Sequence, residues 1–455
     1  MALIHKIDDL VEHIKDNKAF LDFNREIFDI REGALFDKVA ESIKQQISDP
    51  ETAKTMIERV PPINILNKVN NKLSTLYTKE VFRETEDEKD LELINNYSTD
   101  GVNDDFNDAN QNYNSYKNTV VEIYEDEVEH KVATRSLPSY LFLPYSDDPI
   151  DPTRMTILIK YMGQNSDGVS KFYAYSDDEF VSFMEDGEIV AADMFENEGI
   201  NVYGVIPFQY INQSKNLLIP KPDQDIKRMT ILIPLLLGEI NFGNQFLSNP
   251  IIYGLELEAE DFSRNANTVM MLKSDNEEKS GSLNVLQPNL NIPAQLQLVT
   301  EQLSFWLSTK DVRAGAFGIK DGESALSGLA LMIKEMDATT NRDRQAAKFK
   351  KAEIHFWRKL ATIHNKLAEA GRLLTRDMFS SNDLTVNVRY AGQEAIETRA
   401  DKVTRLSGEV NNGLNSVKRA VSELNPTLEP EQIDEIVEQI REDKASQITI
   451  PTFEE

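Results

Sequence analysis

The chain has 455 residues, with 49 Lys and Arg against 77 Asp and Glu, so its formal net charge is -28, and it has no cysteine. This length allows two or three domains with buried cores. The charge argues against a protein that grips DNA tightly by its phosphates, and the lack of cysteine excludes disulfides, cysteine nucleophiles and thiolate metal sites.

The longest apolar run is only nine residues, Met229 to Leu237. A helix that crosses a bilayer needs about 20 apolar residues, so no membrane span is expected. The first residues, MALIHKIDDLVEHIKDN, mix acids with apolar residues and do not follow the pattern of an export signal. We therefore expect neither membrane insertion nor export.

The N-terminal part is predicted to be helical. Residues 4–47 carry apolar residues at helical spacing and read as one or two amphipathic helices that end at Pro50. A second helix is predicted over 63–82. Residues 80–130 hold 16 acids and only three Lys or Arg, with many Asn residues, and are interpreted as a solvated polar connection that is partly helical.

From 118 to 208 the pattern changes to period two. Short β-branched or aromatic runs such as TVVEIYE and RMTILIKYM are separated by turns, which predicts a mostly antiparallel sheet. The further runs GEIVAAD and INVYGVIPF, at 187–193 and 200–208, are included among its strands. The chain is thus expected to be an α+β protein.

The helical period returns at 221, where Pro234 either starts or kinks the helix. Residues 251–290 are predicted to be a small β-containing insertion, and Pro293 to open the next helix. A glycine-bearing loop leads to a long helical pattern over 324–374. A strand at 384–390, helices from 394 to 444 and an extended tail complete the prediction.

Catalytic motifs are not found: the chain has no G-x-S-x-G, H-E-x-x-H or G-x-x-x-x-G-K-[ST] sequence. Gly315, Gly318 and Gly322 with Lys320 resemble a phosphate cradle only weakly, because no strand precedes them, so a flexible loop is favoured. The five histidines lack metal-ligand spacing, and His355 and His364 are expected at a helix surface or edge. No catalytic activity and no cofactor are expected.

Two charged segments leave alternatives open. Asp104, Asp105 and Asp108 lack the glycine of a calcium loop and are expected to be solvated. Residues 342–359 hold seven Lys or Arg and two acids. They form either a DNA-facing patch or, as favoured in so acidic a protein, intersubunit salt bridges. Phe356 and Trp357 are read as core or interface anchors before base-stacking platforms.

The order of these elements resembles that of the portal proteins of tailed bacteriophages. The likeness includes NKVNNKLSTLYTKEVFR at 67–83, VYGVIPFQYIN at 202–212, and the stretch 317–345, in which Ser327, Gly328, Ala330 and Leu331 are similar to the family's S-G-x-A-L pattern. The closing strand and helices, with GLNSVKRAVSELNP, are also similar. Each piece is short, and the ordered set carries the resemblance. Residues 95–116 fit no part of it.

The resemblance implies a domain plan. Residues 1–220, with 375–395 returning, would form an α/β wing, and 221–250 and 293–311 two stem helices around a clip at 251–292. A tunnel loop would occupy 312–325, a long helix 326–374, and a crown and tail 396–455. The tunnel loop would include Arg313, Gly315, Gly318, Lys320, Gly322 and Glu323, and the clip would offer Glu277, Glu278 and Lys279 to partners.

The function that the resemblance implies is mechanical. Such proteins form rings, usually of twelve subunits, at the portal vertex of the virion capsid, where double-stranded DNA is packaged and ejected. The partners would be a terminase, a head-tail adaptor and the major capsid protein. Transient DNA contacts would come from Arg342, Arg344, Lys348, Lys350 and Lys351. A non-viral α/β scaffold or adaptor without a DNA channel, and a phosphate-binding enzyme using 315–322, remain alternatives.

Overall fold

The computed structural model describes residues 3–190, 199–248, 251–255, 257–258, 273–274, 282–286, 291–312, 314, 328–391, 399–425 and 430–446. The chain divides into two compact units, one of residues 1–322 and 337–391 and the other of 323–336 and 392–455. Helix accounts for 56% and strand for 16%, so the predicted α+β class is confirmed at that level. No helix in the described ranges has the length and hydropathy that a bilayer span requires.

Five helices open the first unit: α1 (Ile7–Asp16), α2 (Lys18–Asp29), α3 (Leu35–Gln46), α4 (Pro50–Ile57) and α5 (Ile65–Leu73). The region predicted as one or two helices thus holds three, since Gly33, at φ 116°, breaks the path between α2 and α3. Pro50 starts a helix instead of ending one, because Asp49 caps it by accepting a bond from the Thr52 amide at 2.9 Å. The predicted helix over 63–82 ends at Leu73, and β1 (Val81–Glu84) follows.

The polar segment was predicted wrongly as a solvated connection. It forms α6 (Glu88–Tyr97) and α7 (Asn103–Tyr116), separated at Gly101 with φ 136°. Apolar α7 side chains at helical spacing are buried, and its buried asparagines are paired. Asn110 Nδ2 donates to Gln345 Oε1 at 2.9 Å, and Asn112 Nδ2 donates to Ser136 Oγ at 2.9 Å. Paired in this way, amides can be buried at little cost.

The predicted antiparallel strands are confirmed, but they form two separate sheets. The strands are β2 (Asn118–Asp126), β3 (Lys131–Leu137), β4 (Phe142–Tyr145), β5 (Ile157–Gln164), β6 (Ser170–Tyr175), β7 (Phe180–Met184) and β8 (Phe208–Asn212). The sheet orders are β3-β2-β8 and β4-β5-β6-β7. In the described part of 187–193 only an isolated bridge from Ile189 to Phe183 forms, and the run 200–208 becomes strand only at Phe208.

The middle of the chain holds two helices around short strands. They are α8 (Gln224–Ser248), β9 (Ile251–Leu255), β10 (Leu257–Glu258), β11 (Lys273–Ser274), β12 (Ser282–Leu286) and α9 (Ile292–Thr309). Pro234 lies inside α8, and Pro293 lies in the first turn of α9. β9 pairs with β12 and β10 with β11, both antiparallel. The predicted β content of 251–290 is therefore present.

The long pattern over 324–374 forms α10 (Gly328–Glu369), and β13 (Asn387–Tyr390) pairs antiparallel with β1. The second unit contains α11 (Arg399–Asn411), α12 (Val417–Leu424) and α13 (Pro430–Ser446). Its core is small, built around Val421, Ile433 and Val437. Larger cores in the first unit join α7 and α10 to the three-stranded sheet, and α2–α5 to α8 and α9.

Candidate functional site

The candidate site is the pair formed by α8 and α9, with the strands between them. Ile233 and Leu235 of α8 and Trp306 and Leu307 of α9 belong to one buried core. The chain leaves α8 into β9 and enters α9 from β12, and these two strands pair from Ile251 opposite Leu286 onward. The helices therefore run antiparallel, with the strand pair at one end.

An ion cluster ties the other end of the pair. Lys310 Nζ lies 2.7 Å from Asp223 Oδ2, and Lys117 Nζ lies 3.6 Å from the same oxygen. Burial alone would raise the pKa of Asp223, but the two lysines outweigh it and hold that pKa below its usual value. Asp223 thus stays ionised and fixes the start of α8 beside the end of α9.

Within the described part of the chain, one face of α9 is left without cover. Leu298 and Phe305 are 56% and 75% exposed, although Val299 and Trp306, next to them in sequence, are buried. Residues seven apart lie on the same side of a helix, so Leu298 and Phe305 form one apolar strip that faces away from the core. We call this pair of side chains the α9 knob.

Most of the predicted loop and clip residues lie outside the described part of the chain. They are Arg313, Gly315, Gly318, Lys320, Gly322 and Glu323 of the loop, Ser327, and Glu277, Glu278 and Lys279 of the clip. Gly328 is the first residue of α10, and the backbone of Ala330 and Leu331 continues that helix.

The basic segment 342–359 is used largely inside the chain. Arg342 is buried, and its guanidinium donates to the Ala391 carbonyl. Lys348 donates to the carbonyls of Asn212 and Gln213, and burial lowers its pKa. Backbone carbonyls therefore already hold both groups, and DNA contact by Arg342 and Lys348 stays a prediction.

The exposed remainder of this segment is small. Lys350 Nζ donates to Asn387 Oδ1 at 3.2 Å, while Arg344 and Lys351 are exposed. His355 lies on the exposed side too, and burial followed by the charges of Arg358 and Lys351 lowers its pKa. These groups form a short basic strip on α10 and not a continuous patch.

The aromatic residues of α10 anchor it to the core. Phe349, Phe356 and Trp357 are fully buried, which confirms the reading of Phe356 and Trp357 as anchors. His364 is buried as well, so its predicted surface position is wrong. Its Nδ1 lies 2.6 Å from the Tyr97 hydroxyl and its Nε2 lies 2.7 Å from the Asp377 carbonyl. The spacing of apolar residues does not reveal this, because Tyr97 is 267 residues from His364 and Asp377 lies beyond the end of α10.

The acids at 104–108 are not all solvated. Asp105 is partly buried, and it accepts a hydrogen bond from the Thr134 hydroxyl. Burial is the main cause that raises the pKa of Asp105. Among the described residues, no group of three His, Asp or Glu side chains is arranged to hold a metal ion.

No protein-family model matches this chain, and no curated protein matches it.

Proposed function

We propose that this chain is a portal protein of a tailed bacteriophage. In this proposal it forms a ring at one vertex of the capsid, through which double-stranded DNA is packaged and ejected. The ring would have twelve subunits in the virion. The antiparallel α8–α9 pair would be the stem, and residues 251–292 the clip.

The observation that carries the proposal is the α8–α9 pair itself. Two helices that are adjacent in the fold are separated in sequence by paired β-strands at one end, and α9 exposes Leu298 and Phe305 on its outer side. An apolar helix face that one chain leaves in water is stabilised when a second copy covers it. This is the local structure that a self-assembling stem needs.

The charge of the chain supports a sliding contact with DNA. A subunit with a net charge of -28 repels phosphates over most of its surface, and several basic side chains of 342–359 are already bound to carbonyl groups. Few phosphate contacts mean weak and transient binding. The packaging motor would then be a separate terminase that docks at the clip, and a head-tail adaptor would replace it there. The major capsid protein would surround the ring.

Negative-stain electron microscopy of the purified chain, with light scattering for mass, tests the proposal. Closed rings with a central hole are expected. Monomers or dimers at every salt and protein concentration would refute the portal function and favour a scaffold or adaptor without a channel. Stabilisation of the chain by a nucleotide would instead revive the phosphate-binding loop at 315–322.

A further inference from the structure

We infer that the α9 knob of one subunit inserts into a pocket between α3 and α8 of the next subunit. This inference rests on the proposed ring function. It identifies the two surfaces that hold neighbouring subunits together. It is a heterologous contact, because the knob and the pocket are different surfaces of one chain.

The knob is large and apolar. Phe305 is three-quarters exposed and Leu298 more than half exposed, one above the other on the outside of α9. Covering both side chains would remove their apolar surface from water, which stabilises each contact. Val299, Trp306 and Leu307 hold the other side of α9 in the core and fix the direction in which the knob points.

The pocket lies along one stripe of α8 and the end of α3. Its volume is about 730 Å³, enough for both knob side chains, and its walls include apolar residues of α8 and polar residues of α3 and α8, among them Ile231, Leu232, Leu235, Ser42, Gln46 and Arg228. The pocket thus offers an apolar floor with a polar rim. That is the anatomy of an interface site for an apolar anchor.

The knob and the pocket lie at the same height along the α8–α9 pair. Lys310 is bonded to Asp223, which sets the register of the two antiparallel helices. Phe305 precedes Lys310 by five residues and Arg228 follows Asp223 by five, which is about 7.5 Å of helix in each case. Leu298 precedes Lys310 by twelve residues and Leu235 follows Asp223 by twelve, which is about 18 Å of helix in each case. Subunits standing side by side with their α8–α9 pairs parallel therefore bring knob and pocket together without a vertical shift.

One pair of charges across the two surfaces is complementary, while Asp225 also lines the pocket. Arg228 is exposed at the pocket rim, and Glu301 is exposed on α9 between the two knob residues in sequence. Glu301 precedes Lys310 by nine residues, and Arg228 follows Asp223 by five. Their heights along the helix pair therefore differ by four residues, which is about one helical turn. When the knob enters the pocket, this pair comes within reach across the contact. Opposite charges at such a rim favour one orientation of the partner.

The lack of native cysteine allows a direct test. Gln302→Cys and Gln46→Cys place one thiol beside the knob, on α9 between Leu298 and Phe305, and one on the pocket rim, and both native side chains are exposed, so the knob and the fold are left intact. A short bismaleimide is added to the double variant, and the products are separated under denaturing conditions. We expect a ladder of linked chains up to the ring size. The control double variant, Phe82→Cys with Gln46→Cys, moves the first thiol to a half-exposed residue of β1 and is expected to give no ladder.

A charge swap gives a second, independent measurement. Arg228→Glu and Glu301→Arg are each expected to weaken assembly, seen as a rise of at least threefold in the concentration at which rings dissociate. The two changes together are expected to restore it, because the pair is reformed with its signs reversed.

The outcomes separate this contact from the proposed function. Rings that form normally but give no ladder with the knob–pocket variant, or no rescue in the double charge swap, overturn the contact and leave the portal function standing. Crosslinking by Gln302→Cys alone would show a knob-to-knob contact and also overturn it. If the unmodified chain forms only monomers, both the knob–pocket contact and the portal function are overturned.

Discussion

Arg83 Nε lies 2.7 Å from Glu353 Oε2, and both side chains are almost completely shielded from water. Arg83 comes from β1 and Glu353 from the long helix α10, 270 residues later. The hydroxyl of Tyr77 donates to Glu353 Oε1 at 2.6 Å, and that of Tyr390, in β13, donates at 3.1 Å. Burial is the main cause that raises the pKa of Tyr77 well above its usual value, so this hydroxyl stays a donor. One carboxylate thus joins β1, β13 and α10.

The first prediction concerns this pair. Glu353→Gln leaves the Arg83 charge buried without a counter-charge, which costs about 3–5 kcal/mol of the free energy of unfolding. Urea denaturation followed by Trp fluorescence measures it, since Trp357 packs in the same core. Glu84→Gln is the matched control, because Glu84 pairs with Arg389 across the same two strands in water. Its expected cost is about 0–1 kcal/mol. Equal small losses in both variants would mean that the buried pair does not anchor α10.

The second prediction concerns alkaline pH. Lys359 Nζ donates to the Phe208 carbonyl at 2.6 Å, and burial lowers the pKa of Lys359 to about 8. Between pH 8 and 10.5 the unfolded chain therefore holds a proton that the folded chain has lost, so the free energy of unfolding rises with pH in this window. Below pH 8 Lys359 is protonated in both the folded and the unfolded chain, so it adds no pH-dependent stabilisation there.

The full pKa difference of Lys359 corresponds to about 3 kcal/mol, and partial solvent access reduces the expected gain to about 2 kcal/mol. Thermal or urea unfolding of the native chain and of Lys359→Met at pH 7, 8, 9 and 10 isolates this contribution, since other titrating groups are common to both. As the pH rises, the free energy of unfolding of the native chain is expected to increase relative to that of Lys359→Met. A constant difference would show that Lys359 titrates normally.

The third prediction contrasts two helical glycines. A Cβ added at Gly238, in α8, would lie 2.9 Å from Val60 Cγ2, whereas one added at Gly408, in α11, would meet nothing within 4 Å. Gly408→Ala is expected to stabilise its helix by about 0.5–1 kcal/mol, because alanine is the better helix former. Gly238→Ala should instead destabilise by about 1 kcal/mol, since the overpacking outweighs that preference.

Adding Val60→Ala to Gly238→Ala tests the cause of that loss. If the clash with Val60 is responsible, the double variant recovers the helix preference, and the two changes are strongly non-additive in denaturation experiments. Additive losses would place the cost elsewhere.

The fourth prediction concerns DNA. We expect the purified protein to bind duplex DNA only weakly at physiological salt, with a shallow dependence of log affinity on log salt. Each phosphate contact adds about 0.9 to that slope, and within the described segment 342–359 only a short basic strip is exposed. Fluorescence anisotropy over a salt series measures it. Arg344→Gln with Lys351→Gln should lower the residual slope, whereas Glu84→Gln should leave it nearly unchanged. Submicromolar and steeply salt-dependent binding would revive 342–359 as a DNA site.

Local patterns in the sequence were enough to place many of the helices and strands. The helical spacing over 221–250 and 293–311 and the first-turn Pro293 predicted α8 and α9, and the period-two runs after 118 predicted antiparallel strands. These succeed because a helix or strand buries one face, and the spacing of apolar residues records which face it is. The same patterns did not show that the strands divide into two sheets, since pairing depends on partners far apart in sequence.

The charged and amide side chains were decided by tertiary contacts. The sequence could not show that Asn110 meets Gln345, or that Lys348 and Lys359 reach backbone carbonyls, because an amide or a lysine reads as solvated until a partner is in place. Tertiary contacts also decided that the α9 knob is exposed. Composition makes Phe305 and Trp306 equally apolar, and only the packing of α9 on α8 determines that Trp306 is buried and Phe305 is exposed.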